Sequence, residues 1–176
     1  VAIAAGVAVV AACVVVVAGD PVERGGLVAV LAAGMLLAEL FPIQVPGREE
    51  EVSFSTSFTF ALLVTHGTAE AVLVATGTLL LADLLRRRAP IKIAYNTAQY
   101  AISWAIAGVV YELLAGSPGP AVETVSPGDL LALLASGLAY GAVNGLLAPL
   151  PPALLGGGLL WPELRRGMEF VIGTTF

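Results

Sequence analysis

Apolar stretches separated by short polar or Gly/Pro-rich connections dominate this chain of 176 residues. A hydrocarbon layer of about 30 Å is crossed by about 20 helical residues, and fewer suffice where a helix is broken or buried in protein. The pattern predicts an all-α fold, a polytopic transmembrane helix bundle of about six spans with a seventh beginning near Gly167. The second and third segments are short, and we expect them to be tilted, broken or partly re-entrant. The six predicted segments cover residues 1–18, 27–40, 54–66, 69–85, 91–114 and 129–147.

The third segment begins with alternating hydroxyl and aromatic side chains, from Ser53 to Phe60. A strand there would leave backbone groups without hydrogen-bond partners in lipid unless protein surrounded it. We therefore expect an extended or 3₁₀ entry that turns into a helix, with its hydroxyls facing inward. Ser55, Ser57 and Thr59 are candidate ligand-binding residues on this basis.

Composition supports the membrane prediction and narrows the chemistry. Hydrophobic residues make up 58% of the chain and charged residues 12%, with a mean hydropathy of +0.93, whereas soluble domains are about 25% charged. The chain holds one cysteine, Cys13, and one histidine, His66, so we predict no disulfide framework and no Cys-based zinc site. No nucleophile–base pair or phosphate-binding motif occurs either. We predict no catalytic residues, no metal, no cofactor and no nucleic-acid partner.

The ends of the chain suggest a larger protein. Val1 already lies within an apolar run, and the last seven residues, from Phe170 to Phe176, resemble the opening of another helix. We expect residues 1–176 to form a single membrane domain of a longer chain.

A basic connection between the fourth and fifth segments fixes the expected orientation. Arg86, Arg87, Arg88 and Lys92 lie within nine residues, and short loops rich in Lys and Arg stay on the cytoplasmic side of a membrane. Alternation of the spans then leaves only Arg24 outside, so seven of the eight cations are cytoplasmic. We predict a cytoplasmic start of the chain, with these four cations at the lipid and cytoplasmic interface, where they contact anionic lipid head groups, an output domain or a partner subunit.

A polar face runs along the predicted fifth helix. Lys92, Asn96, Gln99 and Ser103 recur at spacings of four, three and four, with Tyr100 beside them. Amides in a bilayer need partners, which are either other helices or a ligand. The pattern therefore leaves two alternatives open: a small-molecule pocket lined by Asn96, Gln99, Tyr100 and Ser103, or hydrogen bonds between helices.

Two acidic residues lie at the inner ends of predicted helices. Asp83 and Arg87 are four residues apart, which predicts an ion pair along one helix face. Glu39 lies next to the break at Phe41 and Pro42, and we expect it to tether that break through a hydrogen bond. The lone His66 is expected to be a turn residue, with pH sensing as the alternative.

The sixth segment carries glycines at a spacing of four: Gly137, Gly141 and Gly145. Such a ridge of small residues allows close approach of another helix. The partner helix can belong to the same chain or to a second copy in a homodimer.

Four motifs carry a resemblance to a known type of membrane region: residues 38–46 (AELFPIQVP), 51–58 (EVSFSTSF), 82–90 (ADLLRRRAP) and 95–100 (YNTAQY). Together they resemble the N-terminal multi-helix sensor regions of bacterial signalling proteins, notably actinobacterial ones, over residues 27–114. Those proteins carry cytoplasmic HD-GYP, GGDEF or EAL domains that break or make cyclic di-GMP. The resemblance implies a sensor domain in the bacterial cytoplasmic membrane that relays a signal to such an output.

A more distant similarity is to the substrate-binding S components of energy-coupling-factor vitamin transporters. Those proteins are compact bundles of about six helices with short, irregular segments, as in the predicted second and third segments. The alternatives to a sensor are therefore an S-component-like vitamin or metabolite binder, or a structural subunit that anchors a membrane complex.

Overall fold

A computed structural model describes residues 1–18, 25–44, 51–116, 126–148 and 150. Within them the chain forms six helices joined by short turns, and one antiparallel pair of two-residue strands pairs Ile43 with Val52 and Gln44 with Glu51. The elements are α1 (Ala2–Ala18), α2 (Gly25–Leu40), β1 (Ile43–Gln44), β2 (Glu51–Val52), α3 (Ser55–His66), α4 (Thr68–Leu85), α5 (Pro90–Ala115) and α6 (Pro127–Leu147). The predicted all-α class is confirmed, and the predicted segments match the six helices to within two residues.

The number of full-length spans is smaller than predicted. In the described ranges, three helices are long and apolar enough to cross a membrane: α4, α5 and α6. Helices α1 and α2 are apolar but hold only 17 and 16 residues, and α3 holds 12. At 1.5 Å per residue, α3 rises only about 18 Å. The predicted seventh segment lies outside the described part of the chain.

Glycine and proline set most helix boundaries. Gly67 is the one residue between α3 and α4, and it has a positive φ of 92°. Glycine adopts this conformation without steric cost. Pro90 begins α5, and Pro127 begins α6, where a missing N–H costs no helical hydrogen bond. At the start of α6, Ser126 and Asp129 each accept a hydrogen bond from the other's backbone N–H. These local stops explain why the boundaries could be predicted.

The end of α4 differs from the predicted arrangement. Arg87 has a positive φ of 53°, its N–H donates to the Leu84 carbonyl, and the Arg88 N–H donates to the Asp83 carbonyl. This pair of bonds is the Schellman turn, which satisfies carbonyls that the helix end leaves free. The turn directs Arg88 back over the helix, and its Nε lies 3.2 Å from Asp83 Oδ1. The predicted Asp83–Arg87 pair was wrong because the helix does not continue through Arg87.

Arg87→Gly is expected to raise the free energy of unfolding by about 1 kcal/mol, because glycine removes the steric cost of the left-handed conformation. Thermal unfolding in detergent measures it. Arg86→Gly is the matched control, since Arg86 has an ordinary φ of −75°. Equal effects of the two substitutions would contradict the role of the backbone conformation.

Helix α5 lies at the centre of the bundle and packs against α1, α4 and α6, while α2 packs against α3 and α4. The core includes Met35, Leu62, Val72 and Trp104, all of which are fully buried. Helix α1 reaches α5 through Gly6: a Cβ built there would lie 2.5 Å from the Ala98 Cβ and 2.9 Å from its carbonyl oxygen. A glycine therefore permits the close approach of these two helices.

Two further contacts join helices at their ends. Glu112, in the last turns of α5, accepts hydrogen bonds from the Thr68 hydroxyl (2.6 Å) and the Thr68 N–H (3.3 Å) at the start of α4. The Tyr95 hydroxyl donates to the Leu147 carbonyl at the end of α6, at 2.6 Å. The N-terminal turn of α4 is thus completed by a side chain from a neighbouring helix rather than from its own sequence.

The glycine ridge of α6 takes part in packing within the chain. A Cβ at Gly137 would lie 3.6 Å from the Phe60 ring of α3. Gly145 is buried and Gly141 is half-buried. The predicted homodimer contact of this ridge stays a prediction.

Large apolar side chains are exposed along several helices, including Val14 and Val15 on α1, Leu37 on α2 and Leu134 and Leu138 on α6. Such outward-facing apolar residues, on helices of this length, are compatible with a membrane protein.

Candidate functional site

The carboxylate of Glu39 is the centre of a cluster of hydroxyl groups. Its Oε1 accepts hydrogen bonds from the Ser55 hydroxyl, from Ser53 Oγ at 3.2 Å and from the Tyr100 hydroxyl at 3.3 Å. Ser55 Oγ and the Tyr100 hydroxyl are themselves 3.2 Å apart. We call Glu39, Ser53, Ser55 and Tyr100 the Glu39 cluster. One carboxylate oxygen thereby joins α2, the start of α3 and the middle of α5.

Local structure brings these groups together. Glu39 lies in the last turn of α2, and the two-residue strand pair turns the chain back so that α3 begins beside that turn. Ser53 Oγ also accepts the Ser55 N–H at 3.2 Å, which satisfies one of the free donors at the start of α3. The expected tether across the Phe41–Pro42 break is confirmed, because Ser53 and Ser55 lie beyond that break.

The helical geometry of α3 separates the three hydroxyl candidates. Ser55 and Thr59 are buried on one face, and the Thr59 hydroxyl donates to the Ser55 carbonyl at 3.1 Å. Ser57 is exposed on another face. The expected entry is present but short: the chain is extended at Glu51–Val52, the Ser57 N–H donates a 3₁₀-type bond to the Phe54 carbonyl, and the α-helix already begins at Ser55. Helical periodicity places residues four apart on one face and turns the residue between them away.

The polar face of α5 is occupied mainly by other helices. Asn96 Nδ2 donates to Asp83 Oδ2 on α4 at 3.2 Å, and Gln99 Nε2 donates to Asn144 Oδ1 on α6 at 2.7 Å. Both amides thus make the helix-to-helix bonds that were one of the two sequence-based alternatives. Lys92 is exposed near the start of the helix. Of the candidates on α5, Tyr100 is the one that belongs to the Glu39 cluster.

Asp83, near the end of α4, is the centre of a second polar cluster. Its side chain is 2% exposed, with Oδ1 paired to Arg88 and Oδ2 to Asn96. A buried carboxylate is retained at such a position only with charge and hydrogen-bond partners, and both of its oxygens have them. This centre is therefore structural, and it joins α4, α5 and their connecting turn.

Aromatic rings extend from the Glu39 cluster along α5. The Tyr100 and Tyr140 rings are 6.2 Å apart and nearly perpendicular, and the Tyr140 and Trp104 rings are 4.4 Å apart. Phe60 meets Trp104 edge-on at 4.9 Å. We call Phe60, Trp104 and Tyr140 the aromatic wall, by analogy with the apolar walls of ligand sites.

Two buried polar atoms of α5 have no hydrogen-bond partner, and one of them belongs to a ring of the aromatic wall. Trp104 Nε1 and Ser103 Oγ are both fully buried, and neither contacts an acceptor or a donor. Leaving a buried polar group unpaired costs about 1–3 kcal/mol. Both atoms thus keep hydrogen-bonding capacity that no described group uses.

Sequence reasoning missed several members of this site. The sequence shows Ser53 only as part of an alternating stretch, and Tyr140 lies among apolar residues without a polar pattern. For Glu39 it predicts a tether and not a binding site. The one usable signal was an acid within an apolar segment, since such residues mark functional sites by default. In the described residues no group of three His, Cys, Asp or Glu side chains is placed to hold a metal.

No known family model, curated protein or solved structure matches this chain. The fold and site therefore define only a class: an all-helical bundle with helices apolar enough for a membrane and a polar cluster among them.

Proposed function

We propose that this chain is the membrane-embedded input domain of a bacterial signalling protein, which binds a small molecule at the Glu39 cluster and relays binding to a cytoplasmic output of the cyclic di-GMP type. The observation that carries the proposal is the single carboxylate oxygen that joins α2, α3 and α5. The resemblance of residues 27–114 to such sensor regions supports the choice of output. On this proposal the chain contributes binding, and any catalysis belongs to the output domain.

The proposed membrane placement has all six helices crossing or entering the bilayer, with the start of the chain in the cytoplasm. The short α2 and α3 fit this placement because their ends meet polar groups within the protein rather than lipid. The excess of cations on one side supports the orientation, although Arg24, Arg48, Arg165 and Arg166 lie outside the described residues.

The proposed mechanism is a shift between two helix arrangements. A ligand that takes a hydrogen bond from Tyr100 or Ser55, or donates one to Glu39, weakens the bonds that hold α2 and α3 against α5. It favours the arrangement to which it binds better, and the populations shift accordingly. Because α5 also bonds to α4 through Asn96 and to α6 through Gln99, a displacement of α5 reaches the cytoplasmic ends of its neighbours.

The experiment is a thermal-shift screen of the purified chain in detergent against water-soluble vitamins, amino acids and biogenic amines. A ligand that binds the folded state raises the unfolding temperature by mass action. We expect Tyr100→Phe and Glu39→Gln to weaken the affinity of any hit by about tenfold, equivalent to about 1.4 kcal/mol. Tyr95→Phe is the matched control, because it also removes a tyrosine hydroxyl, but one that bonds to the Leu147 carbonyl and not to Glu39.

The possible results separate the candidate functions. A hit whose affinity is unchanged in both cluster variants would overturn the Glu39 site. A reading frame that continues after residue 176 into a GGDEF, EAL or HD-GYP domain would support the sensor. A tightly bound vitamin without such a domain would favour the S-component-like transporter, for which the short α2 and α3 are the supporting observation.

A structural anchor is the remaining candidate, and the internal bonds of Asn96 and Gln99 favour it over transport. It predicts no ligand in the screen and loss of assembly when either amide is replaced by alanine.

A further inference from the structure

We infer that the turn between α4 and α5 binds the phosphate group of an anionic phospholipid, with Arg87 and Lys92 as the cations that hold it. The inference rests on the proposed membrane placement, but not on the Glu39 cluster. It narrows the sequence-based expectation, which assigned lipid contact to the whole run of Arg86, Arg87, Arg88 and Lys92.

The first argument is the distribution of charge at the turn. Arg88 is drawn inward by Asp83, whose carboxylate neutralises it. Arg87 precedes Arg88 in the turn, and Lys92 lies in the first turn of α5. Both are exposed, and within the described ranges neither forms an ion pair. Among the described residues, these two cations are therefore exposed without an ion-pair partner.

The second argument is the backbone at Arg87. A non-glycine residue seldom adopts a positive φ, and here it sets the direction in which the chain leaves α4. The Schellman turn fixes Arg87 at the outside of the bend while it directs Arg88 inward. The position of this cation is thus set by the backbone rather than by a flexible loop.

The third argument is the apolar surface around the two cations. Leu84, Leu85 and Ile91 adjoin them in sequence and are 54%, 58% and 64% exposed. Three large apolar side chains close in sequence to two exposed cations match the headgroup boundary of a bilayer, where acyl chains meet the apolar residues and phosphate meets the cations. A free phosphate ion would use the cations but not the leucines, so this arrangement favours a lipid.

The test uses the whole chain purified in detergent and supplemented with phosphatidylglycerol, with phosphatidylcholine or with inorganic phosphate. Phosphatidylglycerol is expected to raise the unfolding temperature more than phosphatidylcholine does. The double variant Arg87→Asn/Lys92→Gln is expected to lose about half or more of that excess, because it removes both cations assigned to the lipid phosphate. Asparagine is chosen at position 87 because it tolerates the left-handed backbone conformation.

Arg24→Gln is the control, since it removes a cation from the connection that precedes α2, and it should keep the full excess. An equal effect of the two lipids on the unsubstituted protein would overturn the inference while leaving the membrane placement intact. Equal stabilisation by inorganic phosphate would overturn the assignment to lipid. A protein that stays folded and monodisperse without any detergent would overturn the membrane placement itself.

Discussion

Replacing Gly6 by leucine is expected to separate α1 from α5 and to lower the free energy of unfolding by about 3 kcal/mol. Any side chain at this position would overlap Ala98, whose Cβ lies 2.5 Å and whose carbonyl oxygen lies 2.9 Å from a Cβ built on Gly6. The overlapping atoms include the backbone of a central helix, which cannot move without disturbing the contacts of α5 with α4 and α6. Relief by a change of rotamer is therefore excluded, and α1 must withdraw.

The single cysteine supplies a direct readout of that withdrawal. Cys13 lies on α1 and is buried in the core beside Val9 and Val10. We expect a water-soluble maleimide to label Cys13 faster in Gly6→Leu than in the unsubstituted protein, and thermal unfolding in detergent to report the loss of stability. Labelling at the unsubstituted rate, with an unchanged unfolding temperature, would show that α1 does not depend on this contact.

Gly77 provides the matched control for the glycine substitution. It lies within α4, and a Cβ built there meets nothing within 4 Å. Gly77→Ala is expected to raise the free energy of unfolding by about 0.5–1 kcal/mol, because alanine loses less backbone freedom in a helix than glycine does. A lower free energy of unfolding for Gly6→Leu and a higher one for Gly77→Ala would distinguish the effect of close packing from that of helix propensity.

The boundaries of the helices could be predicted because their causes are local. Pro90 and Pro127 begin helices, and Gly67 and Gly116 end them in positive-φ conformations. The contacts between helices could not be predicted in the same way. Helix α1 is apolar on all sides, so its pattern does not show which face meets the protein, and Gly6 looks like any other small residue in that run.

The candidate site shows the same division between local and non-local causes. The α5 face could be predicted from its spacing, and Asn96, Gln99 and Tyr100 do make polar contacts. Their partners on α2, α4 and α6 are 13 to 61 residues away in the chain, a distance at which spacing carries no information. The expectation that all three hydroxyls face inward failed at Ser57 alone, because helical periodicity turns it away from the face of Ser55 and Thr59.

These contacts give α5 a different role at each level along its length. Near its start, Asn96 meets the buried Asp83, so the position of the basic turn depends on α5. One turn further, Gln99 bonds to Asn144 on α6 and Tyr100 bonds to Glu39 on α2. These three side chains thus join α5 to α4, α6 and α2 within about one helical turn.

The second large effect is expected at Asp83. Asp83→Ala should lower the free energy of unfolding by about 3 kcal/mol, at the lower end of the range for breaking a buried ion pair. The lower end applies because Arg88 is 31% exposed and can recover hydration. The backbone bond from Arg88 to the Asp83 carbonyl survives the substitution, so the loss comes from the side chain and not from the turn.

A double-mutant cycle isolates the pair itself. Asp83→Asn keeps an oxygen that can accept from Asn96 but removes the charge, and Arg88→Gln removes the opposite charge. The coupling free energy between these two substitutions is expected to be about 1–3 kcal/mol, measured by thermal unfolding of the four proteins in detergent. The matched cycle of Asp83→Asn with Arg87→Asn should give no coupling, since Arg87 lies outside the bend. Coupling to Arg87 instead of Arg88 would mean that α4 continues through the turn, and the assigned Schellman geometry would then be wrong.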